Sequence, residues 1–283
     1  MTSLPVPAQR DIETAFSGRV QLLDPPIRIG GQASVHRGRR TADATGVLAG
    51  EEIALKLYLD PSQTTRVDRE IDAMVQIRLR TLANLLEYGL LPVNGHQYPF
   101  LMWEFIEGEA LDHRISRGPI NTQTAAVIGR DVSIALVAIW RRRIVHRDVN
   151  PKNIMLRAGE QSAVLIDLGV AKYLDQTPLT APGTTWGTRG YMSPEQCMGM
   201  DITCQSDVFS LGIALQEAIA GTHPTQSNQD QLVRLGGPRT SSIAPHTSAG
   251  LADILDRMVS RRPAYRPTPD VLEHAFSDLL GAI

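Results

Sequence analysis

The sequence contains few cysteines and no large excess of charge of either sign, and each shortage excludes a class of protein. Its two cysteines, Cys197 and Cys204, lack the CxxC spacing of metal sites and are too few for a disulfide framework. We therefore expect buried free thiols in a reducing compartment. Lys and Arg number 28 against 30 Asp and Glu, so the net charge is −2. A nucleic-acid-binding protein usually carries a basic field, and we expect no nucleic-acid partner.

Long apolar runs are also missing from the 283 residues. The stretch IALVAIW (134–140) is much shorter than the roughly 20 residues that a membrane span needs. The first 16 residues lack the basic start and apolar run of a secretory signal, and we find no lipidation motif. We therefore expect a cytoplasmic protein without a membrane partner. Its 42% apolar and 20% charged residues are typical of a globular chain with a real core.

The first part of the chain has the patterns of strands. Residues 1–22 are Pro-rich and predict a tail or a short helix, while residues 47–59 alternate in the manner of a strand. Residues 65–80 carry apolar side chains at helical spacing. Residues 85–106 predict two strands that are joined by a turn at Asn94-Gly95. Residues 23–106 thus predict a small β-rich lobe with one helix.

The second part, residues 107–283, has the patterns of a larger helical lobe. A long apolar helix is expected over 121–143, with Asn121 or Thr122 as its N-cap. Short strands follow, and a second buried helix is expected to end at Gly221. The remaining expected elements are strands at 153–157 and 163–168 and helices at 205–221, 248–262 and 267–283. The chain is therefore predicted to have an α+β fold.

Two stretches in the first part could hold a triphosphate, which phosphoryl transfer from ATP requires. RIGGQASVHRG (28–38) contains a glycine turn that lets backbone N–H groups approach phosphates, although an ordinary hairpin turn explains it equally well. Against the pattern GxGxxGxV, Arg28 and Ala33 replace two glycines. Lys56 precedes Glu70 by 14 residues, and the carboxylate could hold the ammonium toward phosphates. The alternative is a pair of solvated charges.

Two stretches in the second part could orient the acceptor hydroxyl and bind Mg²⁺. In HRDVNPKN (146–153), Asp148 can accept a hydrogen bond from the hydroxyl, and Asn153 offers a neutral oxygen to the metal. Asp167 follows an apolar strand 14 residues after Asn153 and precedes Leu168 and Gly169. A carboxylate at that place suits a metal ligand.

Nine motifs then give a family resemblance over about residues 22–280. They occur in the order IGGQASV, IALK, REI, MWEFIEG, HRDVNPKN, DLG, GTRGYMSPE, SDVFSLG and RRPAYRP. The chain resembles the bacterial, eukaryotic-like Ser/Thr protein kinases. The resemblance implies a bilobal protein-kinase-like fold, ATP and Mg²⁺ as cofactors, a Ser/Thr protein substrate and possible self-phosphorylation.

The resemblance implies a role for each matching residue. Lys56, paired with Glu70, would contact phosphates, and Asp148 would be the catalytic base. The implied metal ligands are Asn153 and Asp167. The other residues implied around the nucleotide are Gly30, Gly31, Val35, Ala54, Glu104, Ile106 and Met155. The residues implied to support the site are His146, Arg147, Thr188, Glu195, Asp207 and Arg266.

The sequence departs from the family pattern at two places. Asn150 stands where a Lys usually stabilises the transferring phosphoryl group, and Lys152 is hypothesised to supply the missing charge. The alternative is that Lys152 is an ordinary solvated lysine. Trp103 is expected to close the pocket behind the adenine, unless the alignment shifts by one and Met102 occupies that position.

The segment after Asp167 predicts regulation. Arg147 before the catalytic Asp goes with activation by phosphorylation in this family, and Thr184 and Thr185 are the expected phosphosites. Thr188 is expected to hydrogen-bond Asp148, which favours a Ser/Thr acceptor.

Two other functions are alternatives to that of an active Ser/Thr protein kinase. Asn150 and the altered glycine turn would fit a pseudokinase that acts as a nucleotide-binding regulatory scaffold. The complete catalytic set opposes that reading. A kinase of small molecules is opposed by GTRGYMSPE, which is a peptide-docking segment in the resembling family.

Overall fold

The computed structural model describes residues 4–23, 25–30, 33–41, 50–59, 77–167, 172–173 and 187–282. The chain separates into two compact units. The first unit is Met1–Arg78 with Ala83–Phe105, and the second is Leu79–Leu82 with Ile106–Ile283. An antiparallel sheet dominates the first unit and helices dominate the second, so the α+β prediction is confirmed.

The first unit is built on a six-stranded antiparallel sheet. Its strands follow the order β1-β3-β4-β6-β5, and β2 pairs with β3. The elements are α1 (Gln9–Ala15), β1 (Val20–Leu22), β2 (Arg28–Ile29), β3 (Ala33–Arg40), β4 (Glu52–Tyr58), β5 (Leu85–Val93) and β6 (His96–Glu104).

Local sequence signals explain two parts of this sheet. In β4, every second side chain is fully buried, namely Ile53, Leu55 and Leu57, as the alternation predicted. Asn94 and Gly95 join β5 to β6 with φ angles of 50° and 80°. Two successive left-handed residues make the turn whose twist matches a two-residue hairpin, so this prediction is confirmed.

The N-terminal segment belongs to the core of the first unit. Ile12 of α1 and Phe16, the C-cap of this helix, are buried in the same apolar cluster as the inner residues of β4. The Phe16 ring meets the edge of Phe100 at 5.1 Å between centroids. The Tyr98 hydroxyl donates to the Pro5 carbonyl at 2.9 Å, which fixes the chain before α1. The segment therefore covers one face of the sheet.

The helix that was predicted over 65–80 falls mostly on residues 60–76, which lie outside the described residues. Its last four residues, 77–80, are not helical. Leu79–Leu82 instead join the second unit, where the Leu165 N–H donates to the Thr81 carbonyl at 2.9 Å. This pairing in a parallel bridge requires extended rather than helical backbone.

The second unit is mainly helical and carries two small sheets. Its strands pair in the orders β10-β9-β7 and β11-β8. The strands are β7 (Gly108–Ala110), β8 (Ile144–Val145), β9 (Ile154–Arg157), β10 (Ala163–Leu165) and β11 (Lys172–Tyr173). The helices are α2 (Leu111–Ile115), α3 (Thr122–Trp140), α4 (Pro194–Cys197), α5 (Cys204–Ala220), α6 (Gln229–Leu235), α7 (Thr240–Ile243), α8 (Ala249–Met258) and α9 (Pro269–Gly281).

Capping residues set the ends of the two long helices. The Asn121 side chain accepts the Thr124 N–H at 2.8 Å, so Asn121 rather than Thr122 is the N-cap of α3. Gly221 ends α5 with a φ of 74°, as predicted. By length and composition α3 could cross a membrane, but 67% of its apolar window is buried inside the protein. That burial is typical of a core helix.

Two boundaries differ from the expectation, and one strand was not expected. The strand that was expected over 163–168 ends at Leu165. The helix that was expected over 248–262 ends at Met258, and a 3₁₀ turn, Pro263–Tyr265, follows it. Proline disfavours helical backbone in the residue before it, and Arg262 is extended. Strand β7 was not predicted at all.

The two cysteines form no disulfide. Cys204 is buried, as expected, whereas Cys197 is only half-buried. Burial raises the pKa of the Cys197 thiol to about 11 and that of Cys204 to about 12. Neither thiol is therefore activated as a nucleophile at neutral pH.

Candidate active site

Asp207, at the start of α5, holds the backbone of the loop 146–153. Its two carboxylate oxygens accept the N–H groups of His146 and Arg147, each at 2.7 Å. Arg147 has a φ of 71°, a left-handed conformation that costs a non-glycine residue free energy. Burial raises the pKa of the Asp207 carboxyl to about 6, against the opposing effect of the two amide donors. The contact is the one that the resemblance implies for Asp207.

The Asp148 carboxylate is fixed from two sides. One oxygen, Oδ1, accepts the backbone N–H of Thr188 at 2.7 Å, and Oδ2 accepts Nδ2 of Asn153 at 3.1 Å. The same Asn153 nitrogen donates to the Asp148 carbonyl at 2.9 Å. The Thr188 contact was predicted, but it is made by the backbone rather than the hydroxyl. The carboxylate therefore has one orientation relative to the loop.

Asn150 is buried, with only 2% of its surface exposed. Its Nδ2 donates to the Asp148 carbonyl at 3.0 Å and to the Thr188 hydroxyl at 3.2 Å. Its Oδ1 accepts the Lys152 N–H at 3.0 Å and caps the 3₁₀ turn Pro151–Asn153. The Lys152 side chain is exposed. The exposed cation of Lys152 thus lies on the same 3₁₀ turn that the buried, hydrogen-bonded amide of Asn150 caps.

Asn153 and Asp167 have the chemistry of magnesium ligands. The Asn153 side-chain nitrogen is engaged with Asp148, so its Oδ1 is left without a hydrogen bond among the described residues. The Asn153 carbonyl accepts the Ile166 N–H at 2.9 Å, which brings the chain before Asp167 alongside Asn153. Asp167 is exposed and has a φ of 62°. The oxygen donors present fit Mg²⁺, which prefers such ligands.

The described residues contain no cluster of three or more His, Cys, Asp or Glu side chains that could hold a metal. This does not conflict with the expected site, because Mg²⁺ is usually held by one or two protein oxygens together with substrate phosphates. Leu168 and Gly169, which complete the DLG motif, lie outside the described residues.

His146 is fully buried, and both ring nitrogens are engaged. Nδ1 accepts the Asp148 N–H at 3.3 Å, and Nε2 lies 3.2 Å from the Ile166 carbonyl. Through these two contacts the ring links the loop to the segment before Asp167. These contacts fit the supporting role that the resemblance implies for His146.

The Arg147 guanidinium has spare hydrogen-bonding capacity. Its Nε is buried and has no hydrogen-bond partner within the part of the chain that the structure describes. Burial lowers the pKa of Arg147, while Asp207 acts in the opposite direction. An anion beside this guanidinium would therefore be stabilised.

Glu195 and Arg266 form a buried bidentate ion pair. Arg266 donates to the two carboxylate oxygens at 2.6 and 3.0 Å, and the Ser206 hydroxyl donates to one of them at 2.7 Å. The two side chains are 3% and 0% exposed. Burial tends to raise the pKa of Glu195, but the hydrogen bond and charge of Arg266 outweigh it and lower the pKa.

In the first unit, four residues of the expected nucleotide site share one face of the sheet. Val35 pairs with Lys56 across β3 and β4, and Ala54 pairs with Trp103 across β4 and β6. Directly paired residues point to the same face, as do residues two apart on a strand. Met102 points to the opposite face, into the core under α1. Of the two alternatives, Trp103 is thus the residue on the Lys56 face.

The remaining expected nucleotide residues are placed as follows. The Gly30 N–H, just after β2, donates to the carbonyl of Ala33, the first residue of β3, at 2.9 Å. The Glu104 N–H donates to the Asn84 carbonyl at 3.0 Å. The Ile106 backbone makes no hydrogen bond with the described residues, so it has groups available for a ligand. Met155 lies in the middle of the β10-β9-β7 sheet.

Four expected site residues lie outside the described residues, and their roles stay predictions. They are Gly31, Glu70, Thr184 and Thr185.

Gln196 is a supporting residue that the sequence reading missed. Its Nε2 donates to the Arg147 carbonyl at 2.9 Å, next to the loop that carries Asp148. Gln196 also completes a capping box with Ser193 at the start of α4. The spacing Ser-x-x-Gln is the sequence signature of that motif and could have revealed the residue.

His223 and Gln229 hold the segment after Thr188 and were also missed. The Gly190 N–H donates to Gln229 at 2.8 Å, and His223 Nε2 lies 3.1 Å from the Gly190 carbonyl. Gln229 in turn donates to the Met192 carbonyl at 2.8 Å. No local pattern marks either residue, because each acts on backbone more than 30 positions away in the chain.

Comparison with known proteins agrees with this geometry. A family model described as a protein kinase domain matches residues 29–277. The chain is 29% identical over 265 residues to serine/threonine-protein kinase PknL of Mycobacterium tuberculosis, covering 90% of this chain and 63% of PknL. It is 29% identical to PknB of Mycobacterium leprae, of which it covers 40%, and 30% identical to PkaA of Streptomyces coelicolor, of which it covers 49%. The chain thus spans less than two thirds of the length of these relatives.

Proposed function

The chain belongs to the protein kinase family, and from this premise we propose that it transfers the γ-phosphate of ATP to Ser and Thr hydroxyls of proteins. Support for the acceptor class comes from the relatives, which are named serine/threonine-protein kinases. The proposed reaction needs a protein substrate and neither a nucleic acid nor a membrane. Two free cysteines support a cytoplasmic location, where thiols stay reduced.

One observation carries the proposal, namely the fixed carboxylate of Asp148. Contacts with Thr188 and Asn153 orient it, and it remains a hydrogen-bond acceptor. A carboxylate held in this way can accept the hydrogen bond of an incoming hydroxyl and then its proton. Because Thr188 belongs to the segment next to Asp148, that segment can guide the peptide that carries the hydroxyl.

Asn153 and Asp167 would hold Mg²⁺, and Lys56 would contact the phosphates. Magnesium, when bound, neutralises charge on the phosphate oxygens. The exposed Lys152 would supply the positive charge that Asn150 lacks. Nothing in the contacts or the comparisons favours the pseudokinase alternative.

Phosphoamino-acid analysis tests the acceptor class. The purified chain is incubated with γ-labelled ATP, Mg²⁺ and casein, with a parallel reaction in excess EDTA. We expect labelled phosphoserine and phosphothreonine that disappear with EDTA. Label found only on tyrosine would contradict the proposed acceptor, and no label at all would contradict the proposed activity.

We further propose that the chain activates itself by phosphorylation of Thr184 and Thr185. A phosphate there would place charge beside Arg147, whose buried Nε has no partner among the described residues. Mass spectrometry after incubation with ATP and Mg²⁺ tests this. Phosphate on either threonine, with lower activity of the Thr184→Ala/Thr185→Ala variant, is expected. An unmodified 174–190 segment in an active preparation would refute it.

A further inference from the structure

The side chain of Asn150 is the least expected feature of the catalytic loop. It uses both amide hydrogens, one on the Asp148 carbonyl and one on the Thr188 hydroxyl. Its oxygen accepts the Lys152 N–H. With 2% exposure and three hydrogen bonds, this amide cannot turn toward a phosphoryl group unless it breaks all three. It is therefore not a weakened substitute for a lysine.

We propose that Asn150 is a positioning residue that ties two parts of the site together. Through its oxygen it shapes the 3₁₀ turn that presents Lys152 and Asn153. Through its nitrogen it anchors the Thr188 hydroxyl, while the Thr188 N–H holds Asp148. One buried amide thus supports the turn that carries Lys152 and Asn153 and, through Thr188, the carboxylate of Asp148. The expected effect on kcat rests on the proposed function, whereas the hydrogen-bonded link between Asn150 and Thr188 does not.

The amide group is what this place requires. Asparagine offers two donors and an acceptor, whereas lysine offers three donors and no acceptor. A lysine at position 150 would leave the Lys152 N–H without its partner and would place a charge in a buried site. Lysine is the residue that the family pattern has at this position, but here it would disrupt the 3₁₀ turn Pro151–Asn153. If Asn150 is a weakened substitute for lysine, Asn150→Lys should raise activity. If Asn150 is a positioning residue, the same substitution should lower activity.

Steady-state kinetics of Asn150→Lys and Asn150→Ala distinguish a positioning residue from a weakened substitute for lysine. The control is Asn121→Ala, which removes a similar capping side chain from α3 in the same unit. We expect Asn150→Lys to lower kcat, and Asn150→Ala to lower kcat about tenfold or more with little change in KM for ATP. Asn121→Ala should keep kcat. A rise of kcat in Asn150→Lys, or unchanged kcat in Asn150→Ala, would overturn the proposal.

A double-mutant cycle with Thr188→Val tests the link directly. Valine removes the hydroxyl but keeps the N–H that holds Asp148. If Asn150→Ala does not fold, Thr188→Val alone still removes the contact, and unchanged kcat in this variant would then overturn the proposal. We expect the kcat losses of Asn150→Ala and Thr188→Val to be non-additive, because both break one contact. Additive losses would refute the link.

The same cycle measured as Tm does not depend on catalysis. Each single variant should lower Tm. The loss of Tm in the double variant should be smaller than the sum of the losses in the two single variants. If the wild type transfers no phosphate, the proposed function fails, and the Tm cycle still decides the link. Additive Tm losses would overturn it whatever the activity.

Discussion

Lys152 carries an exposed positive charge on the turn that also presents Asn153. Because the amide of Asn150 is committed to three hydrogen bonds, we expect Lys152 to stabilise the charge of the transferring phosphoryl group. Lys152→Ala should lower kcat by about a hundred- to thousandfold, and Lys152→Arg should retain most of it. Steady-state kinetics with saturating ATP checks this. Activity of Lys152→Ala within about twofold of the wild type would contradict it.

Trp103 should limit which nucleotides the chain accepts. It shares a sheet face with Ala54 and Lys56, whereas Met102 lies in the core under α1. Trp103→Ala should raise kcat/KM for N6-benzyl-ATP relative to ATP by about tenfold or more, because it removes bulk from that face. Met102→Ala is the matched control and should destabilise the protein without changing this ratio. Equal ratios in both variants would contradict the assignment.

Glu195 should make stability depend on pH in the acid range. The pKa of its carboxyl in the folded protein is below the ordinary 4.5, so its contribution is present above about 4.5 and is lost as pH falls through the folded pKa. At neutral pH, Glu195→Gln should cost about 3–5 kcal/mol, because Arg266 keeps an uncompensated buried charge. Urea unfolding from pH 7 to pH 3 measures the gap between variant and wild type. A gap that stays constant down to pH 3 would contradict this.

At the scale of elements, α1 contributes to the stability of the first unit. Phe16 is 2% exposed and packs against Phe100. Phe16→Ala should lower the free energy of unfolding by about 3–5 kcal/mol, because it leaves a cavity in the core. Arg10→Ala, on the exposed side of the same helix, should change it by less than about 0.5 kcal/mol. Similar losses in both variants would show that α1 does not pack on the sheet.

Elements that depend on neighbouring residues were predictable from the sequence. The alternation of β4, the Asn94-Gly95 turn and the Gly221 cap each act within a few residues and were predicted correctly, and Asn121 was one of the two predicted N-caps of α3. Strand β7 was missed because its three residues become a strand only by pairing with β9. The covering role of α1 was missed for the same reason, since its partners lie about 40 to 90 residues away.

In the candidate site, too, local motifs were predictable from the sequence, whereas some contacts between distant segments were not. Asp148, Asn153 and Asp167 were predicted from the order of the motifs, and their roles stay predictions. The roles of Asn150 and Gln196 were not found, because each is defined by a contact with another segment. A motif therefore names the reacting groups, while the hydrogen bonds that orient them appear only in the folded chain.

At the scale of the whole molecule, the polar groups proposed to act on the acceptor are concentrated in the second unit. Asp148, Asn153, Asp167 and Asp207 all belong to it, whereas Lys56 lies on a sheet face of the first unit. The protein kinase family model matches residues 29–277, which cover most of each unit. We therefore infer that this domain is an active phosphotransferase that depends on the carboxylate of Asp148.

The most direct test of that claim is the initial rate of transfer from γ-labelled ATP by the wild type and by Asp148→Asn. Asparagine keeps the size of the side chain but cannot accept the hydroxyl proton. The control is Asp253→Asn, whose carboxylate is 72% exposed and pairs only with Arg257 on α8 among the described residues. We expect Asp148→Asn to lose about a hundredfold or more of the rate, and Asp253→Asn to keep it. Equal rates for Asp148→Asn and the wild type would contradict the account.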